Sequence, residues 1–169
     1  MRDDPEKREF LLSLEETPMS IDLLKPEALL ERRYAERAVR QRIHQREFRA
    51  RVIRAYATRC AICVLKHAPL LDAAHIIQDG ADRGIPVVSN GLSLCKIHHA
   101  AYDQNFIGIS PSYKVHVDRA LLQEVDGPML KHGLQEMNGR TLTLPSRATD
   151  KPDQERLAER FVLFLSRAG

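Results

Sequence analysis

"NGLSLCKIHHAAYD", residues 90–103, places an asparagine, a cysteine and two adjacent histidines within the ten positions from Asn90 to His99. Neighbouring side chains point in different directions on either regular backbone, so His98 and His99 call for separate tasks. The runs "APLLDAAHII" and "IPVVSNGLSL" are short and apolar, and the turn-rich "QDGADRG" separates them. That is the pattern of two strands joined by a loop. The "KIHHAAYDQNF" that follows has little β character and fits a short helix.

Cys60 and Cys63 form C-x2-C, and 32 residues after Cys63 come Cys95 and His98 as C-x2-H. Each tight turn offers two ligands, and the two pairs meet when the hairpin between them folds back, which is the arrangement a tetrahedral Zn2+ needs. A Cys3His site is closed, so this zinc is expected to be structural, its binding energy contributing to folding. The alternative is ordinary buried cysteines beside an unrelated histidine. With three cysteines in all, an odd number and two of them closely spaced, a reducing cytosol and a metal fit better than disulfides.

Charge is distributed unevenly. Residues 1–30 carry eight acidic against four basic side chains, with Pro5, Pro18 and Pro26 interrupting any long element. This reads as an acidic lead segment with one short helix around Phe10 to Leu14. Residues 31–59 carry ten arginines against three glutamates, without Gly or Pro. There Ile43, Phe48, Val52, Ile53 and Tyr56 recur at roughly helical spacing, which predicts an amphipathic helix over 31–57. Its arginine face is either a solvated charged surface or a phosphate-contacting one, with Arg42, Arg46, Arg49 and Arg54 as the candidates.

After the central region, Tyr113, Val115 and Val117 alternate as in a strand. "DGPMLKHGLQEMNGRTLTLP" reads as turns ending in a short strand. Leu157, Phe161 and Leu165, spaced by four behind Pro152 and Asp153, fit a closing helix over 152–167. The expected organisation is a lead segment 1–30, an arginine-rich helix 31–57, a core 58–110 and an extension 111–169, with 31–169 as one compact domain. No run of about 18 apolar residues occurs, and "MRDDPEKREF" does not open like a secretion signal. A soluble, cytoplasmic protein without membrane contact is expected.

His99 finds companions in His75, 15 residues before Asn90, and in Asn90 itself, 9 residues before His99. On "CAIC", "AHI", "NGLSLC" and "KIHH", in that order, residues 58–108 resemble the HNH nuclease family, the ββα-metal fold. The Cys-x2-His-His here looks like the family's Cys-x2-Cys-His with one zinc ligand exchanged. More loosely, "RQRIHQREFRARVIRAYATRC" and "DGPMLKHGLQ" are similar to bacterial restriction endonucleases with a C-terminal HNH domain, which implies that the chain is part of a longer protein.

The resemblance implies an α+β fold with a ββα-metal core and zinc knuckles, flanked by the basic helix and the C-terminal helix. It implies a metal-dependent endonuclease that hydrolyses double-stranded DNA in bacterial restriction or defence, with a homodimer as one way to cut both strands. His75 would be the general base, Asn90 would orient His75 or fix the loop between strand and helix, and His99 would hold Mg2+ or another divalent cation. Family members carry Asp or His just before the base as a second ligand, and here that position is Ala74. Asp103, one helical turn after His99, can take the place. Asp72 is the weaker candidate, because in a regular strand it shares Ala74's face unless a bulge brings it round. The departure leaves open a second reading, a zinc-stabilised DNA-binding module that has lost cleavage.

His44, His67, His116 and His132 lack partners at ligand spacing and read as ordinary histidines. Tyr102, Phe106 and Tyr113 read as core, and Lys96 and Lys114 as isolated lysines near phosphate at most.

Overall fold

The computed structural model describes residues 26–168, and the expected helix around Phe10 lies outside them. By internal packing the chain divides after Arg40, and the second unit begins at Gln41. Helix α1 runs from Pro26 to Ala55, starting earlier than expected. Pro26 opens it without penalty, since the first N–H of a helix has no partner to lose. From Phe48 onward α1 buries Phe48, Val52, Ile53 and Tyr56. Ile43, expected on the same stripe, stands 58% exposed. The helix ends where Ala57 and Thr58 both turn left-handed (φ 51° and 54°).

Strands β1 (Leu71–His75) and β2 (Gly91–Cys95) form an antiparallel hairpin with Leu71 opposite Cys95 and His75 opposite Gly91. Gly91 is where α1 crosses: a Cβ there would meet Val52 Cγ2 at 2.5 Å and Phe48 Cζ at 2.9 Å. Helix α2, Lys96–Asp103, follows β2 without a linker. Two strands and a helix thus make the expected ββα unit, in a chain of mixed helices and small sheets.

The extension is richer than the sequence reading. A second two-stranded sheet pairs β3 (Ile107–Ile109) with β4 (Val115–Val117). Two short helices follow: α3 (Arg119–Gln123) precedes the stretch that reads as turns, and α4 (Pro128–Gly133) lies within it. Asp118 caps α3 by accepting from the N–H groups of Ala120 and Leu121. The closing helix α5 spans Gln154–Ala168. It buries Leu157 and Phe164 and leaves Leu165 53% exposed, because a spacing of four drifts off a 3.6-residue turn and the third contact falls at position 164. α5 also supports α2: Arg160 donates to the carbonyl of Tyr102 at 2.8 Å, and Arg167 donates to that of Gln104. Cations at a helix C-terminus offset its partial negative charge. Among the described residues no helix is long and apolar enough to cross a membrane.

Candidate functional site

The hairpin and α2 carry two adjacent polar clusters, and the pair His98–His99 divides between them. The first is closed. Cys60 and Cys63 sit on a tight turn in which Cys60 N–H donates to the Leu65 carbonyl and Val64 N–H donates to that of Cys60, each at 3.0 Å. Cys95 ends β2 and His98 lies one turn into α2. The three Sγ atoms and a His98 nitrogen all lie within 4.8 Å of one another. Cys60 Sγ and Cys95 Sγ stand 3.5 and 3.1 Å from His98 Nδ1, and Cys63 Sγ stands 3.9 Å from Cys95 Sγ. A tetrahedron of thiolates about 2.3 Å from Zn2+ has edges of about 3.8 Å, so the donor set fits that ion. On the far side of the ring, His98 Nε2 lies 2.8 Å from the Gly133 carbonyl. A proton on Nε2 leaves Nδ1 free to ligate, the usual outer support of a metal-bound histidine.

The electrostatics of this cluster ask for a cation. Hydrogen bonds with Cys60 and Cys95 push the Cys63 thiol far up, while those from Cys60 and Cys63 pull Cys95 far down. Burial pulls His98 down, but the sulfurs of Cys60 and Cys95 outweigh it and push the imidazole up to about 10. Three sulfurs together cannot all ionise without positive charge among them, and a divalent ion supplies it.

The second cluster is open. A cleft of about 390 Å³ is bordered by Arg42, Arg46 and Arg49 on one side and by Asp72, His75 and His99 on the other. The three arginines follow one another along α1 at helical spacing. Arg54 is exposed elsewhere on the helix and does not border the cleft.

His75 ends β1 with its ring stacked on Phe48, centroids 4.1 Å apart and planes 14° from parallel. Its Nε2 is enclosed without a hydrogen-bond partner, so Nδ1 is the one ring nitrogen left that could act on a ligand. Burial lowers the pKa of His75 from its ordinary value, and the charges of Asp79 and Asp103 only partly oppose that. The ring is therefore neutral, with a lone pair to offer, at and above neutral pH.

Asn90 is fully buried and does not touch His75 through a hydrogen bond. Its Oδ1 accepts from Ile77 N–H at 2.9 Å, and its Nδ2 donates to the carbonyls of Ile77 and Ile85 at 3.0 and 3.1 Å. It pins the chain two residues beyond His75, within the β1–β2 loop. No loop separates strand from helix for it to fix, since α2 starts at the residue after β2.

His99 has a carboxylate on each nitrogen: Asp72 Oδ2 is 3.7 Å from Nδ1, and Asp103 Oδ2 is 3.3 Å from Nε2. Asp72 also pairs with Arg49 Nε at 3.0 Å and with Lys96. Burial opposes its charge, but the hydrogen bonds from Lys96 and Arg49 hold its carboxyl below the usual range. The bulge that would bring Asp72 round to the face of His75 is absent. The ladder is regular from Leu71 to His75, yet Asp72 and His75 border the same cleft. Ala74 is fully buried, so a ligand at that position would point into the core.

Two features escaped the sequence reading. Phe48 read as core, and it is also the stacking partner of His75. Arg49 read as a free phosphate contact, and its Nε and Nη2 are occupied by Asp72 and by the carbonyls of Ala68 and Leu71.

No curated protein matches the chain. A solved structure titled "Modification dependent TagI restriction endonuclease" is similar at 21% sequence identity and a TM-score of 0.43, over 68% of this chain and 36% of that one. This chain thus spans about a third of that protein's length. Residues 60–110, which hold the knuckle, the hairpin and α2, match the family model described as HNH endonuclease, and that segment is assigned to the HNH endonuclease family.

Proposed function

We propose that the chain is a metal-dependent, HNH-type DNA endonuclease, with a role in a bacterial restriction or defence system. The observation that carries this reading is the shared cleft: an uncharged, oriented histidine and a histidine flanked by carboxylates face a row of arginines. A phosphodiester between them would meet all three requirements of its hydrolysis. His75 Nδ1 takes a proton from water as the oxygen attacks phosphorus, the P–O3′ bond breaks, and the 3′ oxygen leaves to be protonated. Phe48 and the Asn90-pinned loop keep the ring in place for that transfer. Arg42 and Arg46 hold flanking phosphates by charge, independent of base sequence. His99, with a neighbouring carboxylate, holds Mg2+ or another divalent ion, whose chemistry is to stabilise charge on the phosphate and the departing oxygen. Cys60, Cys63, Cys95 and His98 hold a structural zinc that fixes where α2 begins.

The test is plasmid nicking by zinc-loaded protein with Mg2+, Mn2+ or EDTA, beside His75→Ala. Expected is divalent-dependent nicking that drops by about 10²- to 10⁴-fold in the variant, the usual weight of a general base. Retained zinc and DNA binding with no cleavage by the wild type would instead support the binding module.

A further inference from the structure

Asp72 belongs to the open cluster, and its surroundings differ from those of a free ligand. Arg49 of α1 reaches its Oδ1 at 3.0 Å, Lys96 of α2 pairs with its Oδ2, and His99 Nδ1 stands 3.7 Å from that same oxygen. A carboxylate already neutralised by a guanidinium and an ammonium has little attraction left for another cation. Asp103 is placed otherwise. Its side chain is 51% exposed, and its ion contact among the described residues is with His99 Nε2 at 3.3 Å.

An imidazole offers one nitrogen to a metal and is held by the other. With a carboxylate at each nitrogen of His99, only one of the two can share a cation with it. We propose that Asp72 is a positioning residue. It pairs with Arg49 Nε and stands on the Nδ1 side of His99, ready to accept from Nδ1 when a cation takes the other nitrogen, so that His99 Nε2 and the Asp103 carboxylate face a divalent cation together. The assignment removes Asp72 from the candidate ligands and gives it a structural counterpart in Gly133, whose carbonyl plays the same part for His98. It rests on the reading that the catalytic cation sits on His99.

Two measurements on the zinc-loaded protein decide it. One is Mn2+ affinity, followed by the spin-resonance signal of the free ion. The other is the pair of ¹⁵N shifts of the His99 ring, which report which nitrogen carries the proton. Asp72→Ala should weaken Mn2+ binding about 10- to 100-fold, the usual cost of losing an outer partner of a ligating histidine. It should also shift the His99 proton from Nδ1 towards Nε2, and Asp72→Glu should restore most of both. Asp103→Ala should abolish the same Mn2+ binding while the proton stays on Nδ1. Asp72→Asn keeps the side-chain volume and gives the same two readings should Asp72→Ala fail to load zinc. Unchanged ring shifts in the Asp72 variants, or Mn2+ binding that survives Asp103→Ala but not Asp72→Ala, would overturn the assignment. If His99→Ala binds Mn2+ as well as wild type, the cation is not on His99, and it is the nuclease reading of that residue that fails.

Discussion

His98 and His99 are neighbours in sequence and opposites in setting. His98 is 2% exposed, with two sulfurs at one nitrogen and a carbonyl at the other. His99 keeps a quarter of its side chain in solvent, and its two carboxylate contacts are both longer than a formed hydrogen bond. The closed cluster has all its donors turned inward and leaves nothing for a substrate. The open one is unsaturated and faces arginines. The lesson is that one helical step moves a histidine from a closed, buried cluster to an open one beside a cleft, so the two should fail in different ways.

The largest expected effect tests the closed side. Cys60→Ser removes one ligand of four, and structural zinc in small domains contributes on the order of 10 kcal/mol or more to folding. That is comparable with the whole stability of a domain of this size. Zinc content should fall below one per chain and cooperative thermal unfolding of the central unit should vanish. A folded, zinc-free Cys60→Ser protein would mean that the cluster is ordinary core.

The open side should respond to pH and leave the fold alone. Burial lowers the His75 pKa below its ordinary 6.5, so the ring stays in its base form to lower pH than a solvent-exposed histidine would. Cleavage should therefore hold as pH falls to about 6.5 and decline only below that. The readout is the acid limb of kcat/KM at saturating divalent ion. A limb centred above pH 7 would point to a different base.

Asn90 lies between the two regions, and its expected effect is intermediate. Asn90→Ala strands the Ile77 N–H and leaves the carbonyls of Ile77 and Ile85 without their donor, at about 1–3 kcal/mol for each buried group so exposed. Urea unfolding should show a loss of a few kcal/mol, with faster amide exchange at Ile77 and retained zinc. Loss of zinc in this variant would show that the loop and the knuckle are one unit and would blur the contrast between them.

Much of this was legible in the sequence. Paired Cys-x2 spacings mark two tight turns, and the two short apolar runs around "QDGADRG" mark a hairpin, because both signals are local. The rest depends on what elements meet. The stack of Phe48 on His75 joins residues 27 positions apart, and helical periodicity shows only that Phe48 is buried. The setting of Asp72 depends on Arg49 from α1 and on Lys96 and His99 from α2, which strand alternation does not show. Helices α3 and α4 are too short, at five and six residues, to display a period, and they are held by the Asp118 cap and by packing.

The smallest effect sharpens the comparison from inside the knuckle. Val64, directly after Cys63, adopts φ 62°, a left-handed conformation that costs a β-branched residue about 1–3 kcal/mol. Its side chain is 41% exposed, so little packing compensates. The turn that sets Cys60 and Cys63 side by side requires this geometry, since Cys60 and Val64 close it by a 3.0 Å hydrogen bond. Glycine adopts it freely, although it adds about 0.4–1 kcal/mol of unfolded-state entropy. Val64→Gly should thus raise stability by about 1 kcal/mol in denaturant unfolding and leave cleavage unchanged. A destabilised Val64→Gly protein would mean that the half-exposed valine packs on something its exposure conceals, and a change in cleavage would tie the knuckle to the open cleft more tightly than the two histidines suggest.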